Sequence, residues 1–189
     1  VNAIIPFSGI VNTNILIENG KIKALEKTIE NVSADTIINA KNRYILPGVI
    51  DPHVHYGVYT PIDNAAITES TSAATGGVTT IMRMIRLEGS YRKIVNHLDV
   101  SKDTHITDYG IHASILEPEQ IKDMSYLKSI GINSFKIYMN LGSHLKKILA
   151  DLDPGSSSLK EIEVDMTDKL LIEIIKVGSS LNSIVLVHA

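Results

Sequence analysis

The segment Asp51-Pro52-His53-Val54-His55 sets two imidazoles two positions apart, directly after the apolar run Tyr44-Ile45-Leu46-Pro47-Gly48-Val49-Ile50. Alternate side chains of a strand share a face, so in an extended segment both rings point the same way and can reach one metal ion. Surface histidine pairs are also common, and the pair alone leaves both readings open. A second candidate is Lys136, in Ser134-Phe135-Lys136-Ile137-Tyr138-Met139. If Phe135, Ile137 and Met139 face a helical layer, alternation sends Lys136 to the opposite side of the sheet. An unpaired ammonium is costly to bury there. One chemical solution is carbamylation, in which the neutral amine takes up CO2 and becomes an anionic group able to bridge two metal ions. The alternatives are a lysine that leans out to water or one paired with a carboxylate. The third candidate is His188, which ends the apolar run Ile184-Val185-Leu186-Val187. That position suits chemistry, although a satisfied buried histidine would fit it equally when taken alone.

These side chains need strands to carry them. Short apolar runs at 45–55, 78–84, 109–116, 133–139 and 184–188 read as strands. Helices are predicted between them at 65–75, 91–102, 118–130 and 168–177. Gly76-Gly77, Gly131 and Gly178 stand where a helix can end in a left-handed residue. Pro118 sits at a helix start, where its missing N–H is harmless. Ile121, Met124 and Leu127 recur at helical spacing, as do Leu170, Leu171, Ile174 and Ile175, giving each helix an apolar stripe for a sheet. The alternation predicts an α/β fold with a parallel sheet, either doubly wound or closed as a TIM barrel. No Gly-x-Gly-x-x-Gly follows the first strand, which favours the barrel. A TIM barrel typically takes about 250 residues and eight strands, so the chain reads as the first five βα units of a longer protein.

Residues 1–43 have a different character. Asn19-Gly20 lies between two apolar-rich runs, a hairpin signal, and Thr36-Ile37-Ile38-Asn39-Ala40 reads as a further short strand. The expected organisation is a β segment at 1–43 and a truncated barrel at 44–189. The longest irregular stretch, 140–164, contains Asp153-Pro154-Gly155-Ser156-Ser157-Ser158. It reads either as a lid or as a surface insertion with a short helix at 143–150.

Composition narrows the classes of function. With 44% hydrophobic residues among 189 and a mean hydropathy of +0.11, the chain can build a sizeable core. A net charge of −3 without a long basic run argues against nucleic acid as a partner. No window approaches the roughly 18 apolar residues of a membrane span, and no signal region opens the chain, so the expectation is a soluble, cytoplasmic protein. The absence of cysteine removes disulfides, thiolate zinc sites and a cysteine nucleophile, leaving His, carboxylates and Lys as metal ligands.

Several of these segments, in order along the chain, resemble one family. They are Ile15-Leu16-Ile17-Glu18-Asn19-Gly20-Lys21-Ile22, Leu46 through His55, Gly76-Gly77-Val78-Thr79-Thr80, Ser134-Phe135-Lys136 and Val187-His188-Ala189. The family is the cyclic amidohydrolases, which include dihydropyrimidinase, hydantoinase, allantoinase and dihydroorotase. The resemblance implies a TIM barrel of the metal-dependent hydrolase type, with part of a small β-sandwich at the N-terminus. It further implies two divalent metal ions, usually zinc. By carry-over, His53 and His55 bind the first metal, a carbamylated Lys136 bridges both and His188 binds the second. A hydroxide held by the metals then attacks the polarised amide carbonyl. The family's proton-shuttling Asp and its strand-six His are expected beyond residue 189.

Three positions depart from family patterns. Dihydroorotases resembling this chain place an Arg where Gly57 stands, and usually an Asn where Arg86 stands. Hydantoinases and dihydropyrimidinases tend to carry a Tyr where Leu141 stands. Arg83 or Arg86 could meet an acidic group of the substrate, or belong to a solvated charge pair. The implied activity is hydrolysis of a small cyclic amide or imide, dihydropyrimidinase- or hydantoinase-like, by a homo-oligomer (dimer or tetramer). Dihydroorotase is the alternative within the family, and a non-catalytic scaffold homologue is the alternative of another class. Retention of all four visible ligands favours an enzyme.

Overall fold

The structure, a computed structural model, describes every residue except 6, 7, 42, 142–145 and 189, and only the backbone of residue 2. The chain divides into two compact units, Val1–Gly48 and Val49–Ala189.

The first unit contains β1 (Asn2–Ile5), β2 (Gly9–Asn12), β3 (Asn14–Glu18), β4 (Lys21–Glu26) and β5 (Tyr44–Ile45). β1 lies between an antiparallel β2 and a parallel β5, while β3 and β4 form a separate hairpin. The hairpin turn is Asn19 and Gly20, with φ of +52° and +72°, both in the left-handed region that this tight turn demands. The strand expected at 36–40 does not form. Its adjacent isoleucines, Ile37 and Ile38, are 85% and 83% exposed and have no ladder partner among the described residues. The strand expected over 45–55 is split. Pro47 cannot donate to a ladder, and Tyr44–Ile45 pairs with β1, so the next strand begins only at Val49.

The second unit runs β6 (Val49–Val54), α1 (Ile62–Thr75), β7 (Val78–Ile85), α2 (Ile94–Ser101), β8 (Asp108–Ser114), α3 (Met124–Ser129), β9 (Ser134–Tyr138), β10 (Lys147–Leu149), β11 (Glu161–Glu163), α4 (Asp168–Ser180) and β12 (Ile184–His188). Single 3-10 segments, Tyr91–Lys93 and Pro118–Asp123, lead into α2 and α3. β6, β7, β8, β9 and β12 form one all-parallel sheet in chain order. A doubly wound sheet reverses direction at a switch point, whereas unbroken sequential order is that of a barrel wall. One face of this sheet presents Ile85, Ile111, Ala113, Phe135 and Ile137 to Met124, Leu127, Leu170 and Ile174 of the helices. The alternate residues line the opposite, interior face.

Two details correct the sequence reading. α4 does not stop before Gly178 but runs through it to Ser180. A Cβ at 178 would stand 2.7 Å from Val185 Cγ2, so this glycine lets helix and strand approach closely instead of capping the helix. In the stretch 140–164, residues 143–145 of the short helix expected at 143–150 lie outside the described residues, and 147–149 form a strand. β10 pairs antiparallel with β11, with Lys147 beside Glu161 (3.4 Å) and Glu163 (3.8 Å). Ala150, Asp151, Leu152, Ile162 and Val164 are all buried, so this insertion is packed down. No helix among the described residues is long and apolar enough to cross a membrane.

Candidate metal centre

In the parallel sheet His53 and His188 stand near the C-terminal ends of β6 and β12, and Lys136 stands at the middle of β9. Ser114 pairs with Lys136, Lys136 with Leu186, and Tyr138 with His188. His53, on β6, and His55, one residue past its end, are both exposed, and their Nε2 atoms lie 3.1 Å apart. Lys136, only 4% exposed, shares one cavity with His53, Met84, Leu186 and His188. Its amine has no carboxylate partner among the described residues, and Nζ lies 5.7 Å from the Tyr138 ring centre. The His188 ring stands 5.6 Å from the same tyrosine.

The electrostatics favour neutral donors. Burial, with the positive charge of Lys136 behind it, lowers the His53 imidazole, against an opposing pull from Asp51. Burial together with Arg86 and the neighbouring His53, Lys136 and His188 brings His55 down to about 4. Burial also pushes the Lys136 amine down. Both histidines therefore present lone pairs at neutral pH, and the lysine is biased toward the uncharged form that reacts with CO2. This donor set fits a divalent cation bound by nitrogen and oxygen. Among the described residues, no three His, Cys, Asp or Glu close around one point. The cavity beside His53 and His188 adds the basic side chain of Lys136.

Comparison with known proteins decides the ancestry. The chain is 30% identical over 166 residues to a dihydroorotase of Methanosphaera stadtmanae, covering 85% of this chain and 38% of that protein. It is 33% identical over 144 residues to a D-hydantoinase of Rhizobium radiobacter, covering 72% of this chain and 31% of that protein. Its relatives are cyclic amidohydrolases. The solved structure of an L-hydantoinase (dihydropyrimidinase) from Arthrobacter aurescens matches 100% of this chain and 39% of its own, with a TM-score of 0.78 at 24% identity. That likeness shows the shared fold. No family model matches the chain. The chain thus spans 31% to 38% of the length of these two sequence relatives.

In this amidohydrolase relative the two arginines named from sequence part company. Arg83 shares the helix-facing side of β7 with the core residues Ile81 and Ile85, and is 1% exposed. Its Nη2 donates to Asp151 Oδ2 at 2.6 Å and its Nε to the Tyr56 carbonyl at 3.0 Å. It is therefore not the solvated charge considered from sequence, and it points away from the cavity that holds Lys136. Gly57 explains part of this arrangement. A Cβ there would stand 2.2 Å from Arg83 Nη2, and its φ of +94° suits glycine. Arg86 lies on the other side, lining a cavity with His55, Gly57, Glu69 and Lys147. Its Nε is 3.6 Å from Asp151 Oδ1.

Two residues of the region escaped the sequence reading. Asp151 sits inside the irregular stretch, where nothing in its neighbourhood marks it as buried. His112 was legible in principle, because it falls on the inward parity of β8, two residues before Ser114. It is 8% exposed and bonds to Ser134 Oγ through Nδ1 and to the Pro52 carbonyl through Nε2 at 3.2 Å.

Proposed function

We propose that the protein containing this chain hydrolyses the C–N bond of a small cyclic amide or imide, hydantoinase- or dihydropyrimidinase-like, at a binuclear metal site. The observation that carries this reading is the meeting of two neutral imidazole nitrogens at 3.1 Å beside a buried lysine without a counter-charge. His53 and His55 would hold one metal, His188 the other, and Lys136 would bridge them as a carbamate. The carbamate forms when the Lys136 amine nitrogen attacks the carbon of CO2 and releases one proton. Bound divalent cations, zinc by the usual preference of histidine-rich sites, would polarise the amide carbonyl and activate water. Burial and nearby positive charge keep the two histidines unprotonated, so their lone pairs stay available. Arg86 and Lys147 line the adjoining cavity of about 440 Å³ and would orient the polar edge of the ring.

The remaining barrel strands, a completed β-sandwich around the first unit and the proton-shuttling Asp belong to the same proposal. So do a cytoplasmic setting and a dimeric or tetrameric assembly. A second reading, dihydroorotase, rests on the positive charge of Arg86 beside His55, which would suit a substrate carboxylate although that subgroup usually has Asn at this position. Metal analysis of the intact protein, with assays on hydantoin, dihydrouracil and dihydroorotate, tests the set. Two metals per subunit with turnover of hydantoin or dihydrouracil is the expected result. Preference for dihydroorotate would install the second reading. A metal-free, inactive protein would overturn the enzyme reading and leave a scaffold.

A further inference from the structure

The histidine pair is mounted where β6 leaves its ladder. β6 pairs with β7 at Asp51↔Ile81 and again at Val54↔Arg83, with a register shift in between. Pro52 has no N–H to give, and the His53 N–H is taken by Asp51 Oδ1 at 3.1 Å. A backbone carbonyl at such an irregularity needs a donor from elsewhere. The Pro52 carbonyl finds one in His112 Nε2, which reaches it from β8 across the intervening β7. A carbonyl only accepts, so Nε2 carries the proton and Nδ1 is left to accept from the Ser134 hydroxyl. Ser134 shares a strand face with Lys136. The β8–β9 ladder pairs only Ala113↔Phe135 and Ser114↔Lys136, and His112 and Ser134 stand one position before it. Their side chains make the next connection between the strands.

We propose that His112 is a positioning residue of the candidate metal centre, setting the distance between the His53–His55 pair and Lys136. The inference rests on the metal-centre reading and extends it to a residue that touches no metal. Ladder hydrogen bonds cannot fix this distance alone. β6 and β9 are not neighbours, and the register shift loosens the β6 backbone at the very residue that must be placed. One buried imidazole, with both ring nitrogens committed, spans the gap.

The test uses the intact protein, stripped of metal and titrated with cobalt(II) against a competing chromophoric chelator. Far-UV circular dichroism and melting of the metal-free form serve as folding controls. His112→Leu should weaken cobalt binding about 10–100-fold, the usual scale for losing an outer-sphere partner, and should alter the visible cobalt spectrum. His112→Gln, whose amide can both donate and accept, should recover most of the affinity and the spectrum. If His112→Leu fails to fold, the milder Ser134→Ala carries the test, with a several-fold weakening expected at unchanged metal-free melting. Wild-type affinity and spectrum in the His112→Leu and Ser134→Ala proteins would overturn the proposal. So would a Gln variant that falls as far as Leu in both metal affinity and metal-free melting. If the wild-type protein takes up no cobalt, the metal-centre reading falls and this one with it. If the wild type binds and the variants match it, only this inference falls.

Discussion

On the helix-facing side of β7, Arg83 is enclosed by a carboxylate, a backbone carbonyl and the Tyr56 ring. On the interior side of the same sheet, Lys136 is almost as buried but has no carboxylate partner among the described residues. The first arrangement is what a stable fold does with a charge it must bury: it supplies an opposite charge and hydrogen bonds, although Arg83 Nη1 has no hydrogen-bond partner among the described residues. Burial pushes the Asp151 carboxyl up, while two guanidiniums and the Arg86 N–H pull it back toward the ionised form. The second arrangement leaves donors unspent around a cavity, which costs stability and makes sense where a ligand will complete them. The contrast separates the two faces more sharply than residue type does, since both bury a basic side chain to similar depth.

The contrast can be broken most severely at the unspent side. Lys136→Ala should abolish metal uptake and activity together, with added short carboxylic acids restoring a part. Full metal content in that variant, measured by elemental analysis, would remove Lys136 from the site. On the spent side, Asp151→Ala strands a buried guanidinium and should cost about 3–5 kcal/mol in urea unfolding. Metal affinity should change far less. If metal binding collapses as well, the two faces are not independent.

Acid titration sharpens the comparison at a third place. His97, on α2, is fully buried, and neither ring nitrogen has a hydrogen-bond partner among the described residues. Burial chiefly, then Arg83, brings it down to about 4, against an opposing pull from Asp153. The unfolded chain protonates this histidine below its ordinary value near 6.5, whereas the folded chain does so only around 4. Between those values the unfolded state holds more protons, so stability should fall as pH is lowered and level off below about 4. The full swing is about 3 kcal/mol, at roughly 1.4 kcal/mol per pH unit. His97→Leu should remove this share of the slope, leaving that of His55 and the other lowered histidines, as read from chemical denaturation at each pH. The smallest expected effect is at Gly178→Ala. Better helix propensity gains up to about 1 kcal/mol, while crowding against Val185 costs about 1–3 kcal/mol, so the net is a modest loss of melting temperature. A gain would mean that the close helix–strand approach is not tight.

Much of the scaffold was legible because its signals are local. Asn19-Gly20 announces its turn, and the alternation of Phe135, Ile137 and Lys136 separates the two sheet faces. Pairing was less legible, as at 36–40, where a plausible strand has nothing to pair with, and at Tyr44–Ile45, which joins β1. Gly178 misled because a glycine after a helical stripe has two uses, capping and close approach, and only the position of Val185 chooses between them. At the candidate site, strand position made His53, His55, Lys136 and His188 candidates, and only the family resemblance joined them into one ligand set. The partners that support the surrounding frame did not emerge, since Asp151 meets Arg83 across 68 residues and His112 meets Pro52 across 60.

That 68-residue span has a kinetic side. Neighbouring parallel strands are consecutive in the chain, so each pairing closes a modest loop. The Asp151–Arg83 contact instead closes a loop that contains β8 and β9, and is expected to form after them. Loop-closure entropy puts such a contact late on the pathway. A weakened Asp151 pair should therefore act mainly on how fast the protein comes apart and little on how fast it forms, making the insertion a brake on unfolding.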